Sequence, residues 1–176
     1  ASTELIDELN NLTTWENFIE GTNITSRITE IRYNNKGITK IPNSISDLDS
    51  LERIEIQDNA IEYIPGYIGS LSRLMYFTIQ KNNLTFLPPQ IGGLAKLEVL
   101  KIYENQLIEV HQNVGQLSNL TILYLSENQL VNLPDSMCNI LANPGIDINV
   151  DNNQICSDYP ECFTELIENS IQDGCP

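Results

Sequence analysis

Basic residues, histidine and long apolar runs are scarce in this 176-residue sequence, and each scarcity argues against a class of function. Lysine and arginine number 9 against 24 aspartates and glutamates, a formal net charge of -15, so the chain repels nucleic-acid phosphates and anionic membrane surfaces. No apolar run approaches the roughly 18 residues of a membrane span, and no charged and then apolar leader follows Ala1. We therefore expect no nucleic-acid partner, no membrane insertion and no signal segment.

The usual parts of a catalytic centre are also missing. The single histidine, His111, stands where neighbouring segments carry proline, which indicates a tolerated substitution. The sequence has no Gly-rich phosphate loop, HExxH, GxSxG or paired-cysteine redox motif. Asp147, Asp151 and Asp158 do not form a calcium-loop pattern. We therefore expect no enzymatic activity, no cofactor and no metal site.

Cysteine is confined to the last quarter of the chain, and none of the residues forms a CxxC pair of the kind that binds zinc. The four cysteines are Cys138, Cys156, Cys162 and Cys175. An even number clustered at one end favours disulfides in an oxidising compartment. Asn-x-Thr sequons, which are compatible with secretion, begin at Asn11, Asn23, Asn83 and Asn119. These features predict an extracellular or cell-surface location.

A repeat of 23 residues organises the sequence. One unit places its recurring residues at Leu51, Ile54, Ile56, Asn59, Ile61, Ile64, Pro65, Ile68 and Leu71. The same frame recurs from Leu74, Leu97 and Leu120, and an earlier unit from Ile28 keeps the apolar frame but carries Lys36 in place of Asn. The step from the Asn of the fourth full unit to the next is longer by two, so about two residues are inserted around 142–145.

These residues resemble the leucine-rich-repeat family, whose LxxLxLxxNxL signature they match over about 125 positions. The resemblance implies an α/β solenoid, a curved right-handed coil with a parallel sheet of about six strands on its concave face. The residues agree, because the alternation of Leu51, Ile54 and Ile56 suits a short strand with one buried face. The recurring Asn can satisfy backbone groups of the following turn. One unit cannot bury its apolar face alone, whereas stacked units can.

Three parts of the chain are expected. Residues 28–155 form about six repeats. Residues 1–27 form an N-terminal helical cap, since apolar residues from Leu5 to Leu12 fall on one side of a helix and Trp15 adds bulk against the first coil. Residues 156–176 form a C-terminal cysteine cap.

The C-terminal part resembles the cysteine-bearing caps of some secreted bacterial leucine-rich-repeat proteins, in which an NNQLC-like turn precedes a YPxC motif. The equivalents here are NNQIC, ending at Cys156, and YPEC, ending at Cys162. If the Asn positions of adjacent coils are equivalent, Cys138 and Cys162 lie about 5 Å apart, which a disulfide can bridge. This favours Cys138 with Cys162 and Cys156 with Cys175. A rival pairing closes a short loop between Cys156 and Cys162.

The outward positions of the middle strands form the candidate binding site. They carry apolar and aromatic residues where a solvent-facing strand is normally polar, and such patches often mark binding sites. Tyrosine and valine also stabilise sheets by pairing across strands, which is the alternative interpretation. The predicted binding residues are Tyr76, Val99, Lys101, Tyr103, Ile122 and Tyr124.

The sequence therefore predicts a non-catalytic extracellular recognition module that binds a protein or peptide through its concave face. An acidic rim favours a partner with basic groups around an apolar centre. The rim residues are Glu52, Glu55, Asp58, Glu98, Glu104 and Glu127. Two alternatives stay open, a carbohydrate-binding module and a structural spacer or assembly unit of a larger cell-surface protein. The oligomeric state also stays open.

Overall fold

Six parallel strands of three residues form one sheet and follow one another in chain order. The computed structural model describes residues 28–156 and 159–172. The strands are β1 (Glu30–Arg32), β2 (Arg53–Glu55), β3 (Tyr76–Thr78), β4 (Val99–Lys101), β5 (Ile122–Tyr124) and β6 (Asp147–Asn149). The predicted solenoid with about six parallel strands is confirmed. The predicted N-terminal helical cap, residues 1–27, lies outside the described residues.

The strand register repeats the sequence period. Arg53 pairs with Tyr76, and Tyr76 pairs with Val99, so each step advances one repeat. The last step pairs Ile122 with Asp147 and is two residues longer, as the sequence predicted. Because alternate strand residues point to opposite faces, the central residue of each of the first five strands is buried and forms part of the core.

Short 3₁₀ helices carry the chain back to the next strand. They are Asn43–Asp47, Gly66–Ser70, Pro89–Gly93, Gln112–Gln116, Asp135–Met137 and Glu161–Phe163. Two short α-helices, α1 (Cys138–Leu141) and α2 (Thr164–Glu168), follow the last two of them. The two inserted residues of the fifth coil follow α1, where Gly145 has a φ of 72°, a left-handed conformation that glycine adopts without a Cβ clash.

His111 occupies the position at which other coils have proline. Its φ of -65° is close to the -67° of Pro65 and Pro88, so the backbone enters the 3₁₀ helix in the same extended conformation. Its Nδ1 also accepts the backbone N–H of Asn113 at 3.1 Å. The histidine therefore caps this helix, which explains why the substitution is tolerated.

Adjacent 3₁₀ helices approach so closely that glycine is required between them. A Cβ on Gly69 would lie 2.4 Å from the carbonyl oxygen of Gln90, and one on Gly115 would lie 2.2 Å from that of Ser136. Apolar residues such as Ile68 and Ile91, both fully buried, pack beneath these helices. One continuous apolar core results, as in other stacked-repeat proteins.

An asparagine in each of five coils ties the turn after the strand to the preceding coil. Asn82 is typical: its Nδ2 donates to the carbonyl oxygens of Ile56 at 3.0 Å and Ile79 at 3.1 Å, and its Oδ1 accepts the N–H of Ile61 at 3.0 Å. Asn153, with none of its surface exposed, makes the same set of bonds. We call the five residues the asparagine ladder; they are Asn59, Asn82, Asn105, Asn128 and Asn153.

A disulfide joins the fifth coil to the C-terminal segment. Cys138 and Cys162 are bonded, with their Cα atoms 5.8 Å apart, which is the pairing that the spacing on adjacent coils favoured over a Cys156–Cys162 loop. Phe163, fully buried beside the disulfide, extends the core into this segment. The other favoured pair involves Cys175, which lies outside the described residues, so it stays a prediction.

Replacing Asn105 with alanine is expected to lower the free energy of unfolding by about 3 kcal/mol. Its amide donates to the carbonyl oxygens of Ile79 and Ile102 and accepts the N–H of Leu84, and alanine leaves these buried groups unpaired. Urea unfolding followed by circular dichroism measures the loss. Asn83→Ala is the control, because Asn83 is exposed and should cost less than about 0.5 kcal/mol. Equal losses in the two variants would show that the ladder does not support the turns.

The double variant Cys138→Ser, Cys162→Ser should also be less stable, by about 3 kcal/mol. The disulfide closes a loop with a sequence separation of 24, and its loss increases the entropy of the unfolded chain. The midpoint of urea unfolding in non-reducing buffer reports the change. A midpoint equal to that of the unmodified chain would contradict a stabilising role for the disulfide.

Candidate functional site

Outward residues of the strands form columns that run across the concave sheet face. The register places in one column Glu30, Arg53, Tyr76, Val99, Ile122 and Asp147. A second column contains Arg32, Glu55, Thr78, Lys101, Tyr124 and Asn149. Neighbouring strands lie about 4.8 Å apart, so residues next to each other in a column are in contact range. The structure thus brings the six predicted binding residues together on β3 to β5 and just beyond β4.

The first two strands carry a charge network that is neutral as a whole. Arg53 Nε lies 3.4 Å from Glu30 Oε1, and its Nη1 lies 3.4 Å from Glu55 Oε1. Arg32 donates a hydrogen bond to Glu30 and lies 3.6 Å from Glu55. This hydrogen bond, followed by the charge of Glu55, raises the pKa of Arg32. Two arginines are thus balanced by two glutamates, which leaves this end of the face with little net charge.

Apolar side chains occupy the centre of the face, and we call Tyr76, Val99, Tyr103 and Ile122 the apolar centre. Together with polar neighbours they line a shallow depression of about 400 Å³. Tyr76, Tyr103 and Ile122 are half-buried, but the prediction that Val99 is exposed is wrong, because only 9% of it is accessible. Its column neighbours are the larger Tyr76 and Ile122, so Val99 lies at the floor of the depression.

Two aromatic rings of the site are held by neighbouring polar groups. The Arg53 guanidinium lies 3.8 Å from the centre of the Tyr76 ring, and the Lys101 ammonium lies 5.0 Å from that of Tyr124. The Tyr124 hydroxyl also donates to Asp147 Oδ2 at 2.5 Å. The site therefore presents rings whose positions are set before a ligand arrives.

Gln80 also lines the site, although its place in the sequence indicated no special role. Its Nε2 donates to Gln57 Oε1 at 2.5 Å, yet its own Oε1 is buried without a hydrogen-bond partner among the described residues. It lines the same depression as Tyr103 and only 8% of it is exposed. The repeat places Gln80 on the outward face, but only the packing of neighbouring strands shows that it is buried.

The described residues include neither a metal-binding cluster nor a membrane-spanning helix. No group of three or more His, Cys, Asp or Glu side chains arranged to hold a metal ion occurs among residues 28–156 and 159–172. Within the same ranges, no helix has the length and apolar character needed to cross a membrane.

Comparisons of sequence identify the repeat. A family model described as a leucine-rich repeat region matches residues 27–129, and one described as a leucine-rich repeat matches residues 119–140. No curated protein matches the sequence significantly.

Solved structures share the fold. The leucine-rich-repeat ectodomain of the Arabidopsis thaliana membrane receptor kinase GASSHO1/SCHENGEN3, in complex with Casparian strip integrity factor 2, is 29% identical with a TM-score of 0.64, covering 75% of this chain and 16% of that one. A leucine-rich-repeat protein of Leptospira interrogans is 20% identical, with a TM-score of 0.55 and coverages of 81% and 41%. InlP of Listeria monocytogenes is 21% identical, with a TM-score of 0.62 and coverages of 72% and 35%. The chain spans less than half the length of each.

Removal of the Asp147 carboxylate should lower the pKa of Tyr124. The hydrogen bond to Asp147, then burial and the carboxylate charge, raise this pKa, because all three favour the neutral phenol. The stability gained from the bond is complete below the pKa of an unfolded tyrosine and is lost as pH rises through the raised pKa. Phenolate absorbance of the unmodified chain and of Asp147→Ala, each minus its Tyr124→Phe counterpart, isolates the titration. Identical Tyr124 curves in the two proteins would contradict the assigned bond.

Proposed function

The chain belongs to the leucine-rich-repeat family, and we propose that it is a recognition module that binds a protein or peptide through its concave sheet face. The observation that carries the proposal is the apolar centre, a depression lined by Tyr76, Tyr103 and Ile122 on the solvent side of the sheet. Aromatic side chains such as these contribute much of the binding energy of an interface when a partner excludes water from them. Repeat solenoids generally use such extended surfaces as interaction scaffolds.

Preorganisation of the aromatic side chains supports this role. Arg53 stacks on Tyr76, and Tyr124 is held between Lys101 and Asp147. Side chains that are already ordered lose little rotamer entropy on binding, so more of the contact energy contributes to affinity. The rings can therefore act as anchors.

Charge is arranged around the apolar centre in a way that selects partners. Arg32 and Arg53 are neutralised by glutamates, while the rim residues Asp58 and Glu127 are exposed in a chain of net charge -15. Complementary rim charges accelerate encounter and disfavour wrong partners more than they add affinity. A ligand with an apolar centre and basic groups at its edge fits this arrangement.

An extracellular, non-catalytic setting completes the proposal. The Cys138–Cys162 disulfide is typical of chains that fold in oxidising compartments. The structural neighbours include a plant receptor ectodomain in complex with Casparian strip integrity factor 2. The only histidine in the chain caps a 3₁₀ helix on the returning side, away from the apolar centre.

Changing Tyr76, Tyr103 and Tyr124 together to alanine should weaken binding of the natural partner at least about 100-fold, since aromatic anchors each contribute more than about 1 kcal/mol. The partner is first captured from the native extracellular medium with the unmodified chain, and its affinity is then measured by surface plasmon resonance.

Tyr67→Ala is the matched control, because Tyr67 is 57% exposed on a 3₁₀ helix, and it should leave the affinity unchanged. An unchanged affinity in a folded triple variant would rule out the concave site. A glycan array probed with the same proteins tests the carbohydrate alternative, and tyrosine-dependent glycan binding would replace the protein ligand with a sugar.

A further inference from the structure

A second set of exposed apolar side chains lies outside the concave face, in the turns that follow the asparagine ladder. Each side chain is about half exposed, and they belong to four successive coils: Tyr63 at 44%, Phe86 at 48%, Ile108 at 54% and Val131 at 50%. In every coil these side chains belong to a two-residue segment with a buried residue on each side, as Leu84 and Leu87 lie on either side of Thr85 and Phe86. The exposed positions therefore share one flank of the solenoid, which we call the turn flank.

The turns stack on one another as the strands do. Asn83 N–H donates to the carbonyl oxygen of Ile61, and Gln106 N–H donates to that of Leu84, both at 2.9 Å. Equivalent residues of adjacent turns therefore lie about one strand spacing apart, roughly 4.8 Å. Tyr63 and Phe86 are equivalent, and with Glu62, Asn83 and Gln106 they line one groove. Ile108 and Val131 continue the apolar stripe along the next two coils.

Isolated apolar residues on a surface are ordinary, whereas a contiguous stripe marks an interaction site. Tyr67 shows the isolated case, since it is more than half exposed and neither neighbouring 3₁₀ helix, Asn43–Asp47 or Pro89–Gly93, carries an exposed large apolar side chain. The four members of the turn flank differ from it because they occupy two neighbouring repeat positions in successive coils, Tyr63 and Phe86 at one and Ile108 and Val131 at the position before it. Exposed apolar surface is thus concentrated in the same turn of four successive coils.

Carboxylates occur in the same turns as the stripe. Glu62 and Glu109 are exposed within the same turns. At the left-handed position that opens each turn, where φ is between 52° and 57°, stand Asp58, Lys81, Glu104 and Glu127. Lys81 is paired with Glu104 at 3.6 Å, so within the second to fifth coils the flank is acidic. A second copy of this chain would bring the same negative charges and a net charge of -15 to the contact, which opposes self-association.

We propose that the turn flank is a second docking surface, separate from the concave face, and that it binds a basic amphipathic segment of a partner protein. Apolar side chains of the segment pack on Phe86 and Ile108, and lysine or arginine side chains reach Glu62 and Glu109. The proposed contact combines apolar packing along the stripe with charged pairs at its edges, which gives affinity and orientation together.

The test uses two synthetic amphipathic peptides of equal length, one of lysine and leucine and one of glutamate and leucine, with binding followed by fluorescence anisotropy. The lysine–leucine peptide should bind the unmodified chain, and Phe86→Ser with Ile108→Ser should weaken it at least about tenfold, the effect of losing about 1.4 kcal/mol. Glu62→Gln with Glu109→Gln should weaken it too and reduce its salt dependence. The glutamate–leucine peptide should not bind.

The matched control is Tyr67→Ser with Ile171→Ser, which removes the same number of exposed apolar side chains from elsewhere and should leave binding unchanged. Circular dichroism verifies that each variant is folded. The proposal is overturned if the flank and control variants bind equally, or if only the concave-face tyrosine variant loses binding. It is also overturned if mass spectrometry of the native protein finds a glycan on Asn83, because that glycan would cover the groove.

Discussion

The asparagine ladder is the interaction on which the rest of the structure depends. Each turn after a strand buries backbone N–H and C=O groups. Burying such groups without a hydrogen-bond partner is unfavourable. One asparagine side chain satisfies its own turn and reaches a carbonyl oxygen of the preceding coil, as Asn105 does for Ile102 and Ile79. The ladder therefore sets both the shape of each turn and the register between coils.

The register between coils aligns outward residues of the repeat into columns on the concave face. Because β3, β4 and β5 are aligned residue for residue, their first residues lie side by side and form one apolar column of Tyr76, Val99 and Ile122. The same alignment places Lys101 over Tyr124 and Arg53 over Tyr76. The outward positions can vary without disturbing the core, because core and surface residues alternate along each strand.

Sequence reasoning succeeded wherever the repeat itself carries the information. The buried frame, the two-residue insertion before β6 and the outward positions all follow from spacing. It was wrong about Val99 and assigned no role to Gln80, because their exposure depends on the size of side chains one coil away. It gave no function to His111 and overlooked the turn flank, since a period reports which positions recur and not what lies between them.

Site-specific photocrosslinking tests most directly whether a partner binds on the concave face. A photoreactive benzoylphenylalanine is introduced at Tyr103, in the apolar centre, and in a second protein at Tyr67, on a 3₁₀ helix of the returning side. After irradiation with the captured partner, we expect a covalent adduct between the partner and position 103, and none with position 67. An adduct from position 67 alone would contradict binding on the concave face.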